Sequence, residues 1–132
     1  MSTSNALNRK LIYVVDDEEF MSDMVREILL LEDYDAVSFQ DPLEALRSME
    51  SANPKPDLLL TDYVMDSLNG MDLIKRCKEF KPSLKTILFS GNVNEEIMRK
   101  YDFKPDFFLN KPFLPRDLLQ KIGQCLNSPK GT

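Results

Sequence analysis

Four short apolar runs punctuate the chain, and each gives way to residues of a different kind. Leu11–Val15 ends at Asp16-Asp17, and Leu58–Leu60 leads through Thr61 to Asp62. Ile87–Phe89 ends at Ser90-Gly91, and Phe107–Leu109 leads through Asn110 to Lys111-Pro112. Short continuous apolar runs with polar or turn residues at their ends read as buried strands. Strands are therefore expected at about Leu11–Val15, Asp57–Thr61, Thr86–Ser90 and Phe107–Asn110. A fifth, Asp35–Phe39, alternates imperfectly through Ala36, Val37, Ser38 and Phe39, which suits an edge strand with one wet face.

Between the runs the apolar spacing becomes helical. Met21, Met24, Val25, Ile28 and Leu29 predict a helix at about Glu18–Leu31. Asp41-Pro42-Leu43-Glu44 is a helix start, with an Asp N-cap and Pro at the first helical position, and this helix is expected to run to about Glu50. Asn53-Pro54-Lys55-Pro56 then breaks the chain. Asp62–Gly70 reads as a loop. A third helix is expected from about Met71 to Glu79, with Leu73, Ile74 and Cys77 on one face. The fourth is short and lies within Asn94–Tyr101, followed by a turn at Phe103-Lys104-Pro105. The fifth begins near Pro115 and reaches about Leu126, with Leu118, Leu119, Ile122 and Leu126 inward. Residues 1–8 are expected to be a disordered tail and 128–132 a C-terminal tail. Five strand–helix units in strict alternation imply a parallel sheet with helices on both faces, forming one domain over residues 9–127.

Composition narrows the function. The 132-residue chain carries a net charge of −5, which disfavours nucleic-acid binding by this chain. No apolar run approaches the roughly 18 residues of a membrane span, and MSTSNALNRK lacks the apolar centre of a signal peptide. Cys77 and Cys125 lack metal-type spacing and read as reduced residues of a cytoplasmic protein. The chain has no histidine. That removes Ser-His-Asp and Cys-His catalysis, imidazole zinc sites and any phosphohistidine on this chain itself.

If the runs are parallel strands of one sheet, Asp16, Asp17, Asp62, Ser90 and Lys111 converge at its carboxyl edge, where open α/β sheets bind ligands. Magnesium takes oxygen ligands at about 2.1 Å and keeps several waters. Asp16 and Asp17 are adjacent and cannot both point the same way, so one can ligate directly and the other through water. Asp62 can share the ion and offer a carboxylate oxygen as nucleophile, since aspartate is a known covalent phosphoryl acceptor. Lys111 would neutralise a transferred phosphoryl group and Ser90 would donate a hydrogen bond to it.

These residues, with Met65 and Gly70 after Asp62, Phe113 after Lys111-Pro112, and the helix start Asp41-Pro42-Leu43-Glu44-Ala45-Leu46, resemble the receiver domain of bacterial response regulators over residues 9–127. The resemblance implies a flavodoxin-like (βα)5 three-layer sandwich with strand order 2-1-3-4-5. It implies phosphoryl transfer to Asp62 from a sensor histidine kinase or a histidine phosphotransfer protein. It also implies Mg²⁺ bound by Asp17, Asp62 and the backbone carbonyl of Val64, with Asp16 acting through water. Ser90 takes the switch hydroxyl position, Phe108 the switch aromatic position, and the Lys111-Pro112 bond is expected to be cis. The chain departs from the family pattern in three places. Asp66 stands where many members have Pro. Phe103-Lys104-Pro105 replaces the usual Gly-Ala before strand five, with a shortened fourth helix. Ser replaces the commoner Thr at position 90.

Met1 and the short tail lead us to expect a single-domain response regulator. It would be no turnover enzyme and would signal to a downstream protein, whose identity the sequence does not disclose. Signal exit is expected through the face of helix four, strand five and helix five, which is also open to homodimerisation. Two other readings use the same residues. One is a receiver-like scaffold that works without phosphorylation, against which the intact acidic set and Lys111 argue. The other is an aspartyl-phosphate phosphatase, against which the Asp16-Asp17-Glu18 order and the lack of a cap domain argue.

Overall fold

The structure is a computed structural model that describes residues 9–91 and 94–127. The segments 1–8 and 128–132, expected as tails, lie outside the described residues. Along the chain run β1 (Leu11–Val15), α1 (Glu19–Leu31), β2 (Asp35–Phe39), α2 (Pro42–Ser51), β3 (Leu58–Asp62), α3 (Gly70–Phe80), β4 (Lys85–Phe89), α4 (Glu95–Met98), β5 (Phe107–Leu109) and α5 (Pro115–Asn127). All four strand pairings are parallel, and the sheet order is β2-β1-β3-β4-β5. This is the flavodoxin-like arrangement that the resemblance implies. No helix among the described residues is long and apolar enough to cross a membrane.

Successive strand residues face opposite sides of a sheet, and here the two sides bury two separate cores. Ile12, Val14, Leu58, Leu60, Ile87, Phe89 and Leu109 pack against α1 and α5 through Val25, Leu29, Leu118 and Ile122. Tyr13, Val15, Leu59 and Leu88 pack the other way, against Ala45 and Met49 of α2 and Met71, Leu73, Ile74 and Cys77 of α3. Continuous apolar runs are what a strand buried on both faces requires. β2, at the edge, has no fully buried residue.

Several boundaries differ by a residue from those the sequence predicts, each for a local reason. The β3 ladder begins at Leu58 and not Asp57, because Asp57 turns its carboxylate back to accept the Leu11 N–H at 2.9 Å. The β4 ladder runs Lys85–Phe89, but the Ser90 N–H still donates to the Leu109 carbonyl at 2.9 Å. α3 begins at Gly70 and not Met71, because the Asn69 side chain caps it by accepting from the Asp72 N–H at 2.8 Å. Asp41 caps α2 as its sequence suggests, accepting from the Leu43 N–H at 3.0 Å with Pro42 at the first helical position. α4 is a single turn, capped by Asn94, and buries no residue fully.

Gly70 sets where the end of β3 sits. Its N–H donates to the Tyr63 carbonyl at 2.8 Å. A methyl group there would overlap the Asp62 carbonyl oxygen and come within 2.8 Å of Leu88 Cδ1. Overpacking of this kind costs about 1–3 kcal/mol. Gly70→Ala is expected to lower the unfolding free energy in urea by that order, because the obstacle is backbone and cannot rotate away. Gly91→Ala is the control: its added methyl would find its nearest neighbour, Lys111 Cβ, at an ordinary 3.5 Å. Equal urea midpoints for the two variants would refute this account of Gly70.

Candidate functional site

Parallel register delivers the site. Val15 pairs with Thr61, Asp62 with Phe89, and Phe89 with Leu109, so β1, β3, β4 and β5 end nearly level. Each strand then releases its next residues at the same edge. Asp16, Asp17 and Asp62 each bring a carboxylate oxygen within 4.8 Å of the others'. Asp16 is fully buried, Asp62 partly so, and Asp17 is exposed.

Lys111 reaches into this group from beyond β5. Its ammonium donates to Asp16 Oδ2 at 2.8 Å and to Asp62 Oδ2 at 3.3 Å. The ammonium also lies over the ring of Phe89, with the centroid 5.2 Å from Nζ, and Phe89 in turn stacks on Phe113 at 5.4 Å. A cation over an aromatic face is attracted by the ring quadrupole. The Lys111-Pro112 peptide is cis, as is Asn53-Pro54, which the sequence reading did not single out.

The remaining acceptor sites of these carboxylates are partly taken. Asp16 Oδ1 accepts the Glu18 N–H at 3.0 Å, and Asp62 Oδ1 accepts the Tyr63 N–H at 3.0 Å. Asp17 has no protein partner among the described residues. Burial pushes the Asp62 carboxyl above its ordinary range; Lys111 opposes this by its charge and hydrogen bond, and the nearby Asp16 charge adds to it. For Lys111, burial works toward a lower value, but the hydrogen bond and charge of Asp16 and the charge of Asp62 outweigh it, and the ammonium is held above its usual range. Three carboxylates about one ammonium leave negative charge uncompensated, and opposed ligands on a single Mg²⁺ stand about 4.2 Å apart. The donor set therefore fits a hard divalent cation in charge, and its span of up to 4.8 Å leaves room for one carboxylate to act through water.

A cleft of about 550 Å³ opens over the group, lined by Asp17, Glu18, Asp62, Val64, Gly91 and Lys111. Val64 is 55% exposed at its rim. Met65, one residue on, is buried in the core beneath α3 and anchors the loop. Glu18 is a lining residue that the sequence reading did not place in the site.

Ser90 and Phe108 stand to one side. The Ser90 hydroxyl donates to Asn110 Oδ1 at 2.6 Å. Phe108 is half-buried and lies between two grooves. One is lined by Ser90, Met98, Tyr101 and residues of α4, the other by Asn110, Phe113 and residues of α5.

A second set of polar contacts escaped sequence reading. Tyr63, next to Asp62, shares a hydrogen bond with the Tyr101 hydroxyl at 3.2 Å, and Asn69 Nδ2 donates to the same oxygen at 3.1 Å. The Tyr101 contact, with burial, pushes the Tyr63 phenol up to about 12. Tyr101 also meets Phe103 edge-on at 5.6 Å. The Phe103-Lys104-Pro105 turn thus holds down the end of α4. No local signal marks these partners, which lie 32 and 38 residues apart in the chain.

Known proteins share this arrangement. The chemotaxis protein CheY of Halobacterium salinarum is 30% identical over 120 residues, covering 90% of this chain and 98% of its own length. The alkaline phosphatase synthesis transcriptional regulatory protein PhoP of Bacillus subtilis is 27% identical over 121 residues, covering 91% of this chain and 49% of that protein. This chain likewise spans half or less of two further curated relatives it matches, 19% of one and 50% of the other. Among solved structures, a CheY-like response regulator receiver domain protein from Methanospirillum hungatei superposes with a TM-score of 0.84 at 28% identity, covering 91% of this chain and 95% of that one. The family model of the response regulator receiver domain matches residues 12–123, and the chain belongs to that family.

Proposed function

We propose that this chain is a phosphorylation-switched receiver whose phosphoacceptor is Asp62. The observation that carries the reading is the ammonium of Lys111 set between Asp16 and Asp62, with Asp17 free at the mouth of the cleft. A phosphoryl acceptor needs an accessible carboxylate oxygen, charge compensation for the incoming group, and little further chemistry.

In this reading a phosphohistidine of a sensor kinase or phosphotransfer protein enters the cleft. An Asp62 carboxylate oxygen attacks phosphorus, the P–N bond breaks, and its electron pair returns to the donor's imidazole. Asp17, Asp62 and the Val64 carbonyl would hold Mg²⁺, with Asp16 acting through water. The ion, when bound, would offset charge on the phosphoryl oxygens. Lys111 turns from Asp62 to the phosphoryl group, and Ser90 donates its hydroxyl to the same group. The protein carries out one transfer and one slow hydrolysis per signal and is no turnover enzyme. Its output is a contact with another protein in the cytoplasm.

Incubation with acetyl phosphate and Mg²⁺, followed by borohydride trapping and mass spectrometry, is expected to place one label on Asp62. EDTA or Asp62→Ala abolishes it. Label elsewhere, or catalytic turnover of para-nitrophenyl phosphate, would overturn the assignment.

Val64 is exposed at the rim, two residues after the acceptor, and offers an attacking water nothing to orient it. Val64→Asn introduces an amide that can, and acyl-phosphate decay is expected to quicken severalfold. An equal or slower decay measured by phosphate release would remove Val64 from the account.

Phosphorylation must bias an element with two arrangements. Phe108, between its two grooves, with the weakly buried turn of α4 beside it, has that freedom. Beryllofluoride with Mg²⁺ is expected to change amide exchange in residues 94–110 as well as around the acidic cluster. Change confined to the loops after β1 and β3 would show that the signal leaves elsewhere.

A further inference from the structure

The Ser90 hydroxyl already has a use in the resting protein. It donates to Asn110 Oδ1 at 2.6 Å, at the short end for an O–H···O bond. Register makes the meeting unavoidable. Phe89 pairs with Leu109, and the Ser90 N–H continues the ladder onto the Leu109 carbonyl at 2.9 Å. Ser90 and Asn110 are therefore neighbours on the face that also carries Leu88 and Phe108. Asn110 is exposed, and its side chain has no other hydrogen-bond partner among the described residues.

A serine hydroxyl has one proton to give. It can go to Asn110 or to a phosphoryl oxygen on Asp62, but not to both. We propose that Asn110 is a positioning residue that restrains the switch: its side-chain oxygen holds the Ser90 proton in the resting form and must release it when a phosphoryl group arrives. The inference rests on the reading of Asp62 as phosphoacceptor and Ser90 as hydroxyl donor. It adds a residue that opposes activation and so sets how readily the activated form is reached.

The sign follows from linkage. An interaction made only in the resting form weakens any ligand that needs the other form, and by the same factor. Removing it strengthens that ligand. A net hydrogen bond spans roughly two- to tenfold in such an equilibrium.

The test is calorimetric titration of the whole chain with beryllofluoride in excess Mg²⁺, on a double-mutant cycle of Asn110 and Ser90. Asn110→Ala is expected to tighten binding roughly two- to tenfold. In a Ser90→Ala background the same change is expected to do nothing, a pattern that a general structural role for Asn110 would not produce. Asn110→Asp, which can only accept, is expected to weaken binding, and by more in the wild-type background than in Ser90→Ala, where only its added charge acts. Wild-type protein that binds no beryllofluoride would overturn the Asp62 reading and this one with it. Wild-type binding with Asn110→Ala unchanged, or a gain that persists in Ser90→Ala, would overturn the role of Asn110 alone and leave Asp62 in place.

Discussion

The rest of the site depends on one cation. Lys111 places a single ammonium against a fully buried carboxylate, Asp16, and a largely buried one, Asp62. Without a counterion, burying Asp16 would cost several kcal/mol. With it, three acids can share one sheet edge. The arrangement also stays unbalanced, since one positive charge cannot satisfy three negative ones. That residual charge suits the edge to a divalent ion, and under the proposed function the ion then readies it for a phosphoryl group. The Lys111 ammonium also lies over the ring of Phe89, which Phe113 backs by stacking, so the Phe after Lys111-Pro112 supports the electrostatics through Phe89 as well as the core.

Much of this is legible in the chain because parallel sheets write their pattern plainly. A strand buried on both faces must be apolar throughout, and the first polar residue after it marks the sheet edge. That rule, carried one residue further at three of the four ends, assembles Asp16, Asp17, Asp62, Ser90 and Lys111. The Asp41-Pro42 start is equally plain, because capping is local and uses few residue types. What escaped was set by partners distant in sequence or by a neighbour's side chain. Asn69 as the cap of α3 looked like one more loop residue, because the helix start was sought at the first apolar position. The start of β3 moved by one where Asp57 added a side-chain acceptor for Leu11 to its own backbone bonds. The Tyr63–Tyr101–Asn69 contacts depend on where the eight-residue connection between α4 and β5 comes to rest, and no periodicity encodes that.

The same distinction separates the two faces of the sheet. On one, α1 and α5 are locked by Val25, Leu29, Leu118 and Ile122, all fully buried. On the other, α2 and α3 are equally locked, but beside β5 there is only a single turn of helix with Met98 and Tyr101 partly covered. Dense and sparse packing thus occupy different parts of a small molecule. Regions that must change shape are drawn from those with little buried apolar contact. The Ser90 hydroxyl and the Asn110 amide that it meets lie where the rigid sheet joins this loosely held corner.

The one-turn α4 has a consequence for how such a protein diversifies. Glu95 and Glu96 are exposed, and of this turn only Met98 packs against a core, so substitutions at the two glutamates change the exterior and leave both cores in place. Most surface changes of that kind fall within about half a kcal/mol of neutrality. Under the proposed function, a lineage could therefore rewrite the residues that meet a partner while the chemistry at Asp62 stays untouched. On that reading, duplicated copies would drift apart in whom they address long before they differ in how they are switched.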